Sequence, residues 1–231
     1  MIVAFLASGV AWILLVNGFV FVLLAAAAKT LERTADRTLT WAWLTLFAIL
    51  QALNEWTDML AWAAGGGEAF TAIGFLLKVV SFLVLMEFAR AGSYAILGGT
   101  SGLWIYFGVI ITVSAGGLAG WSGLNAASHY ALALPAGLWS ARVLGRYQAL
   151  KYPRSNSLLT GAWAMGNYAV VMGLLVPEAP FFPASAVNQA SFLAFTGIPA
   201  PLLRTLLLCI LAASLWLHCW TQRQRPAPAQ P

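Results

Sequence analysis

Charge is what this sequence has least of. Only 8% of its 231 residues are Asp, Glu, Lys or Arg, while 61% are hydrophobic, and mean hydropathy is +0.82. A soluble globular domain carries about 25% charged residues. This chain cannot cover a water-facing surface in that way, which leaves a polytopic membrane protein. Cysteine is nearly as scarce. Cys209 and Cys219 both fall in the last apolar run, ten residues apart, or about 15 Å along a helix. That separation forbids their pairing within one helix, and there is no CxxC or metal-type spacing. Catalytic signatures are missing too: no Ser-His-Asp set, phosphate loop, HExxH or Cys/His cluster is present, so nothing supports a catalytic assignment or a bound cofactor. The N-terminal Met1-Ile2-Val3-Ala4-Phe5 has no basic stretch, and its apolar run is too long for a signal peptide; it reads as a retained first span. The apolar runs are continuous rather than alternating, which excludes a membrane β-barrel. No internal repeat supports an inverted-repeat transporter.

What the sequence does have is long apolar runs. A span needs roughly 20 apolar residues, and seven such stretches follow one another: Ile2–Ala28, Leu39–Ala63, Phe70–Ala89, Ile96–Leu118, Ala127–Leu144, Leu158–Val176 and Ala200–Trp220. The fold expected is all-α, a seven-transmembrane-helix bundle over residues 1–220. Pro135 should kink the fifth span. The connection from Pro177 to Pro199 is long, and the proline-rich tail from Thr221 to Pro231 reads as disordered and cytoplasmic.

The basic residues orient the bundle. Connections one, three and five and the tail hold Lys29, Arg33, Arg37, Arg90, Arg142, Arg146, Lys151, Arg154, Arg223 and Arg225, ten of the twelve. Connections two, four and six hold none, and Lys78 and Arg204 lie within spans. The positive-inside rule therefore expects the N-terminus outside and the C-terminus in the cytoplasm. The net charge of +5 is this loop asymmetry and not a nucleic-acid signal.

The chemistry-bearing residues gather in the outer half. Gln51-Ala52-Leu53-Asn54-Glu55-Trp56-Thr57-Asp58 interrupts an otherwise apolar span. A charge at the bilayer centre costs roughly 2.5–3.5 kcal/mol on insertion scales, so these carboxylates need compensation. Glu55 and Lys78 lie at matching depth on neighbouring spans, about 12 Å from their outer ends, and are expected to pair. Arg204 is the natural partner of Asp58. His129 at the start of span five and Asn167 in span six complete the set Asn54, Glu55, Asp58, Lys78, His129, Asn167 and Arg204. Glu55, Asp58 and His129 are metal-ligating types, but their spacing has no metal pattern and two cations stand nearby, so no metal is assigned. A retinal Schiff base would need a lysine in span seven, which has none. Glu87 and Arg90 suit an i, i+3 salt bridge at the cytoplasmic end, and His218 reads as an interfacial side chain. Most tryptophans, such as Trp41, Trp62, Trp121 and Trp220, suit the membrane interfaces, whereas Trp56 is placed to pack over a cation. Three uses of the polar cluster remain open: fixing helix register, lining an outward-facing pocket for a ligand or lipid headgroup, or conducting a proton or ion.

Three stretches carry a resemblance. Asn54-Glu55-Trp56; Ser81-Phe82-Leu83-Val84-Leu85-Met86-Glu87-Phe88-Ala89-Arg90; and Phe182-Pro183-Ala184-Ser185 with Asn188, Phe192, Thr196-Gly197-Ile198-Pro199 and Arg204 together resemble the N-terminal seven-helix sensory region of certain bacterial membrane histidine kinases and GGDEF diguanylate cyclases. Gln51 stands where that region usually has His, which argues against a haem or metal there. No kinase or cyclase domain follows Trp220 in the sequence. The resemblance implies a multi-pass, receptor-like sensor of the bacterial cytoplasmic (inner) membrane, surrounded by membrane lipids and reaching a protein partner through span seven. The alternatives are an accessory structural subunit of a larger membrane complex and, third, a small transporter or channel.

Overall fold

In the computed structural model, which describes residues 9–34, 38–99, 102–153 and 155–224, the chain is built from helices and the turns that join them. The helices are α1 (Gly9–Thr34), α2 (Trp41–Ala64), α3 (Glu68–Leu97), α4 (Trp104–Gly116), α5 (Gly120–Ser128), α6 (Leu134–Lys151), α7 (Ser157–Leu174), α8 (Gln189–Thr196) and α9 (Ala200–Arg223). Among the described residues no strand forms, only an isolated bridge between Val176 and Asn188. Four helical runs are long and apolar enough to cross a membrane: Gly9–Arg33, Glu68–Ile96, Trp104–Lys151 and Ala200–Arg223. The expected start of the first span at Ile2, the charges Asp36, Arg37 and Arg154, and the tail beyond Gln224 lie outside the described residues.

Six of the helices close a ring. Going round it, α1 packs on α2, α2 on α3, α3 on α6, α6 on α7, α7 on α9, and α9 back on α1. Its interior is filled by large side chains with almost no exposure, among them Phe21 and Leu24 of α1, Trp41 and Phe47 of α2, Phe82 and Phe88 of α3, and Tyr147 of α6. Aromatic rings meet across it edge to face: Phe21 with Phe47 at 6.0 Å, Phe21 with Tyr168 at 6.2 Å, and Trp41 with Tyr147 at 5.9 Å. Such pairs add about 0.5–1.5 kcal/mol each beyond their buried area. Trp41 is thus a core residue and not part of an interface belt, although Trp62, Trp121 and Trp220 are exposed as expected.

Local chemistry explains the helix boundaries. α2 stops at Gly65-Gly66-Gly67, all three at positive φ, with the Gly66 N–H returning to Ala61 O at 2.7 Å; glycine alone adopts a run of this kind without strain. α4 turns back on α5 through a single 3₁₀ turn, Gly117–Ala119. Between α5 and α6 the chain does not break; it widens into a π turn over His129–Ala133, directly before Pro135. Proline lacks an N–H and clashes with the carbonyl four residues back, and the wider turn absorbs both defects. The expected perturbation at Pro135 is therefore a π turn that also aims His129.

The ring has two distinguishable ends. At one, here called the basic end, Cys219 Sγ reaches Ala27 O at 3.6 Å, Tyr152 meets His218 edge to face at 4.7 Å, and Arg90 pairs with Glu87 at 2.5 Å while Tyr106 donates to the same carboxylate at 2.6 Å. The other, the glycine end, carries the α2–α3 turn, the α4–α5 turn and the connection between α7 and α9. That last connection is ordered. Asn188 Oδ1 accepts from the Ser191 N–H at 2.9 Å while the Asn188 N–H donates to Ser191 Oγ at 3.0 Å, a reciprocal N-cap for α8; the Asn188 amide also donates to Ala184 O at 3.0 Å, and Ala179 and Ala184 are buried against Ala126.

Candidate functional site

An open cleft of about 320 Å³ lies at the glycine end between α2, α3 and α5. Asp58 forms one wall, Lys78 and Thr71 another, and Ser122 and Asn125 the third, with Phe70, Phe75 and Trp121 as aromatic lining. Phe75 and Trp121 meet edge to face at 5.9 Å. Lys78 Nζ donates to Asn125 Oδ1 at 3.2 Å. Gly74 makes room for Asp58: a Cβ there would lie 3.2 Å from Asp58 Oδ1.

Behind the cleft, the ring interior holds a second group of polar side chains. Glu55 is 6% exposed, and the electrostatic neighbours of its carboxylate are, foremost, Arg204 of α9, then Asp58 and Lys78, with the Asn17 side chain of α1 facing it. This crossing follows from the ring, because α1 stands between α2 and α9 and packs on both. Asn17, Gln51 and Asn54 are 2%, 0% and 1% exposed. Asn17 Oδ1, both polar atoms of the Gln51 amide, Asn54 Oδ1 and Arg204 Nε have no hydrogen-bond partner in the protein. Arg204 Nη1 contacts Met172 Sδ at 3.0 Å.

The expected pairing of Glu55 with Lys78 does not form, nor does Asp58 with Arg204. Lys78 has Asp58 as its leading opposite charge, and Glu55 has Arg204. Among the described residues the only N···O ion pairs within 4.0 Å are Lys29–Glu32 and Glu87–Arg90, so Glu55, Asp58, Lys78 and Arg204 attract across gaps. The reason for the exchange is azimuth. At about 100° per residue, Asp58 stands about 60° round the helix from Glu55, enough for Glu55 to be buried in the ring while Asp58 lines the cleft beside α3.

Of the other expected site residues, Asn54 lies buried between Glu55 and Gly74. His129 is buried, with Nδ1 at 2.7 Å from Met172 O and its ring against Phe82; it ties the π turn to α7 and does not line the cleft. Asn167 donates to Trp163 O, one turn back on its own helix, at 2.9 Å, and hydrogen-bonds to none of the other six. Trp56 covers no cation. Its indole packs on Gly18, where an added Cβ would lie 2.1 Å from Nε1, and edge-on to Phe19 at 5.5 Å. His218 is not interfacial but fully buried, with Nδ1 3.2 Å from Ser157 Oγ. The sequence reading missed Asn125 and Ser122, because it treated Gly120–Ala126 as a connection rather than as the start of a helix. The amide at Asn125, five residues after Gly120, was the available signal.

A second concavity, about 520 Å³, runs between α1 and α2 and is walled by Val22, Ala25, Ile49, Leu53 and Trp56. Its lining is apolar apart from Lys29, Thr45 and the Trp56 indole N–H. No protein-family model matches the chain, and no curated protein and no solved structure shows significant similarity to it.

Proposed function

We propose that this chain is a non-catalytic, receptor-like sensory module of a bacterial cytoplasmic membrane, with seven spans, the N-terminus outside and the basic end in the cytoplasm. The carrying observation is the cleft at the glycine end, where Asp58 and Lys78 face the same open volume without forming an ion pair. A cluster that only fixed helix register would close on itself and satisfy its own charges. This one is open at the cleft and leaves polar atoms unpaired behind it. Its volume is at the lower end of the roughly 300–1,000 Å³ of small-molecule sites. In this orientation the cleft faces outward, at the end where connections two, four and six carry no Lys or Arg. Arg204, the cation nearest Glu55, is on α9, so a ligand that alters the charge balance acts on the helix that leads to the cytoplasm.

The alternative, an accessory subunit of a larger membrane assembly, draws on α4. None of its residues is buried, and Trp104 and Phe107 are 73% and 69% exposed. Purification from native membranes in mild detergent separates the two. The sensory reading expects the chain alone or as a homodimer, with a small molecule or lipid retained and detected by mass spectrometry. A stoichiometric protein partner held through α4, with nothing retained in the cleft, would overturn it.

A further inference from the structure

We infer that the cleft takes a small zwitterion, a molecule carrying one ammonium and one anionic group joined through a short, partly apolar body. The inference rests on the sensory reading above and names its ligand class. Lys78 Nζ has three donors and directs one to Asn125 Oδ1, which leaves donors free towards the cleft. The Asn125 amide nitrogen adds two more. Asp58 can accept several hydrogen bonds through its two oxygens, and among the described residues only the charges of Lys78 and Arg204, with no hydrogen-bond donor, act on it. One wall of the cleft is thus built to donate to an anionic group and the opposite wall to accept from an ammonium. The aromatic faces of Phe75 and Trp121 lie between, suited to an apolar body and to an ammonium over a ring.

Charge balance narrows the choice. Glu55, Asp58, Lys78 and Arg204 sum to zero. A lone cation entering the cleft meets Lys78 with Arg204 behind it, and a lone anion meets Asp58 with Glu55 behind it. In a medium of low dielectric each mismatch is expensive, because like charges a few ångströms apart repel strongly. A neutral molecule with separated charges meets an opposite charge on each wall and leaves the net balance of the site unchanged. Two sources share this chemistry: a free amino acid in the outer compartment, and the headgroup of a zwitterionic phospholipid such as phosphatidylethanolamine.

The test uses the full chain in nanodiscs of phosphatidylglycerol, which offer no zwitterionic headgroup. L-phenylalanine is titrated beside its single-charge analogues, 3-phenylpropanoate and phenethylamine, and a parallel set of nanodiscs contains phosphatidylethanolamine. L-phenylalanine should bind at least tenfold tighter than either analogue, and Asp58→Asn and Lys78→Met should each weaken it at least tenfold. If phosphatidylethanolamine abolishes that binding and co-purifies with the wild type but not with Asp58→Asn, the headgroup is the ligand source; if it has no effect, the source is a free solute. Gly74→Leu, which fills the cleft and removes no charge, should block binding of either, and it serves where a charge variant fails to fold. Equal binding of an analogue, or L-phenylalanine binding that ignores all three substitutions, overturns the zwitterion. So does the absence of both L-phenylalanine binding and lipid retention. Ser122→Cys separates that failure from failure of the sensory reading. If a membrane-impermeant maleimide labels it, the cleft is open to water and only the ligand class is wrong; if it stays unlabelled and nothing binds, the outward cleft itself is wrong.

Discussion

Arg204→Met tests which charges compensate which. The substitution removes the leading opposite charge of Glu55 and the contact with Met172 Sδ, and leaves a carboxylate that is 6% exposed. Two unit charges 4 Å apart attract by about 4 kcal/mol at an effective dielectric near 20. Since Glu55 and Arg204 are further apart than 4.0 Å, that figure is a ceiling for the pair. Breaking a touching buried pair costs about 3–5 kcal/mol. A loss of about 2–4 kcal/mol is therefore expected. The decisive quantity is the coupling in double-mutant cycles, read from reversible unfolding in mixed micelles. Glu55→Gln with Arg204→Met should couple by about 1–3 kcal/mol, and Glu55→Gln with Lys78→Met by under about 0.5 kcal/mol, the level of independent sites. The opposite order, strong coupling to Lys78 and none to Arg204, would restore the pairing expected from depth alone and refute the geometry described above.

Gly18→Ala places a Cβ into the Trp56 indole and should destabilise the α1–α2 pair by about 1–3 kcal/mol, the usual cost of overpacking; a paired Trp56→Leu should recover most of it in the same unfolding assay. Asn188→Ala removes the α8 cap and the tie to Ala184 O, and a loss of about 1–2 kcal/mol is expected, read as faster hydrogen exchange confined to residues 177–199. His218→Ala empties a fully buried position beside Tyr152 and leaves the Ser157 hydroxyl with Ser155 alone. It should cost about 2–4 kcal/mol in thermal or denaturant unfolding, by cavity and lost hydrogen bond together.

The sequence revealed what depends on one dimension and hid what depends on rotation. Run lengths and glycine clusters located α2, α7 and α9 to within a few residues, because hydropathy and turn chemistry act along the chain, whereas α3 runs eight residues past its expected end and α6 is displaced by seven. The depth of Glu55 and Lys78 was readable in the same way. Which way each points was not, since every residue from Leu50 to Leu60 is either apolar or a candidate for the interior, and no polar stripe marks the face of α2. Trp41 and His218 were misplaced for a related reason: near a helix end, an amphipathic side chain suits the interface and the core equally well by type. The Phe182–Pro199 stretch was read as a resemblance. The structure gives it a local physical meaning, with Asn188 as the cap, Gly197 at φ 71° ending α8, and Ala184 buried beneath it.

The two ends of α9 differ in how well their polar groups are satisfied, and on the proposed sensory function that difference is what a ligand would act on. At the basic end His218 meets Ser157, Tyr152 and Gln222. Fourteen residues away, about 21 Å along the helix, Arg204 belongs to a group in which Asn17, Gln51 and Asn54 are buried with unpaired atoms. A buried polar atom left without a partner costs about 1–3 kcal/mol relative to a paired one, so a rearrangement of α9 that gave these amides partners would be favoured. A ligand shifts such an equilibrium only by its differential affinity for the two arrangements, and hydrogen bonds gained by these amides supply one. If that is their role, replacing them with hydrocarbon of similar volume should remove the cost: Gln51→Leu and Asn54→Leu should each raise stability by about 1–2 kcal/mol. They should also abolish any ligand-induced change in the distance between spin labels at Arg223 and Leu150. Destabilisation by more than about 1 kcal/mol in both variants would mean the amides are already satisfied in the resting protein, and α9 would then have no gradient along which to carry a signal.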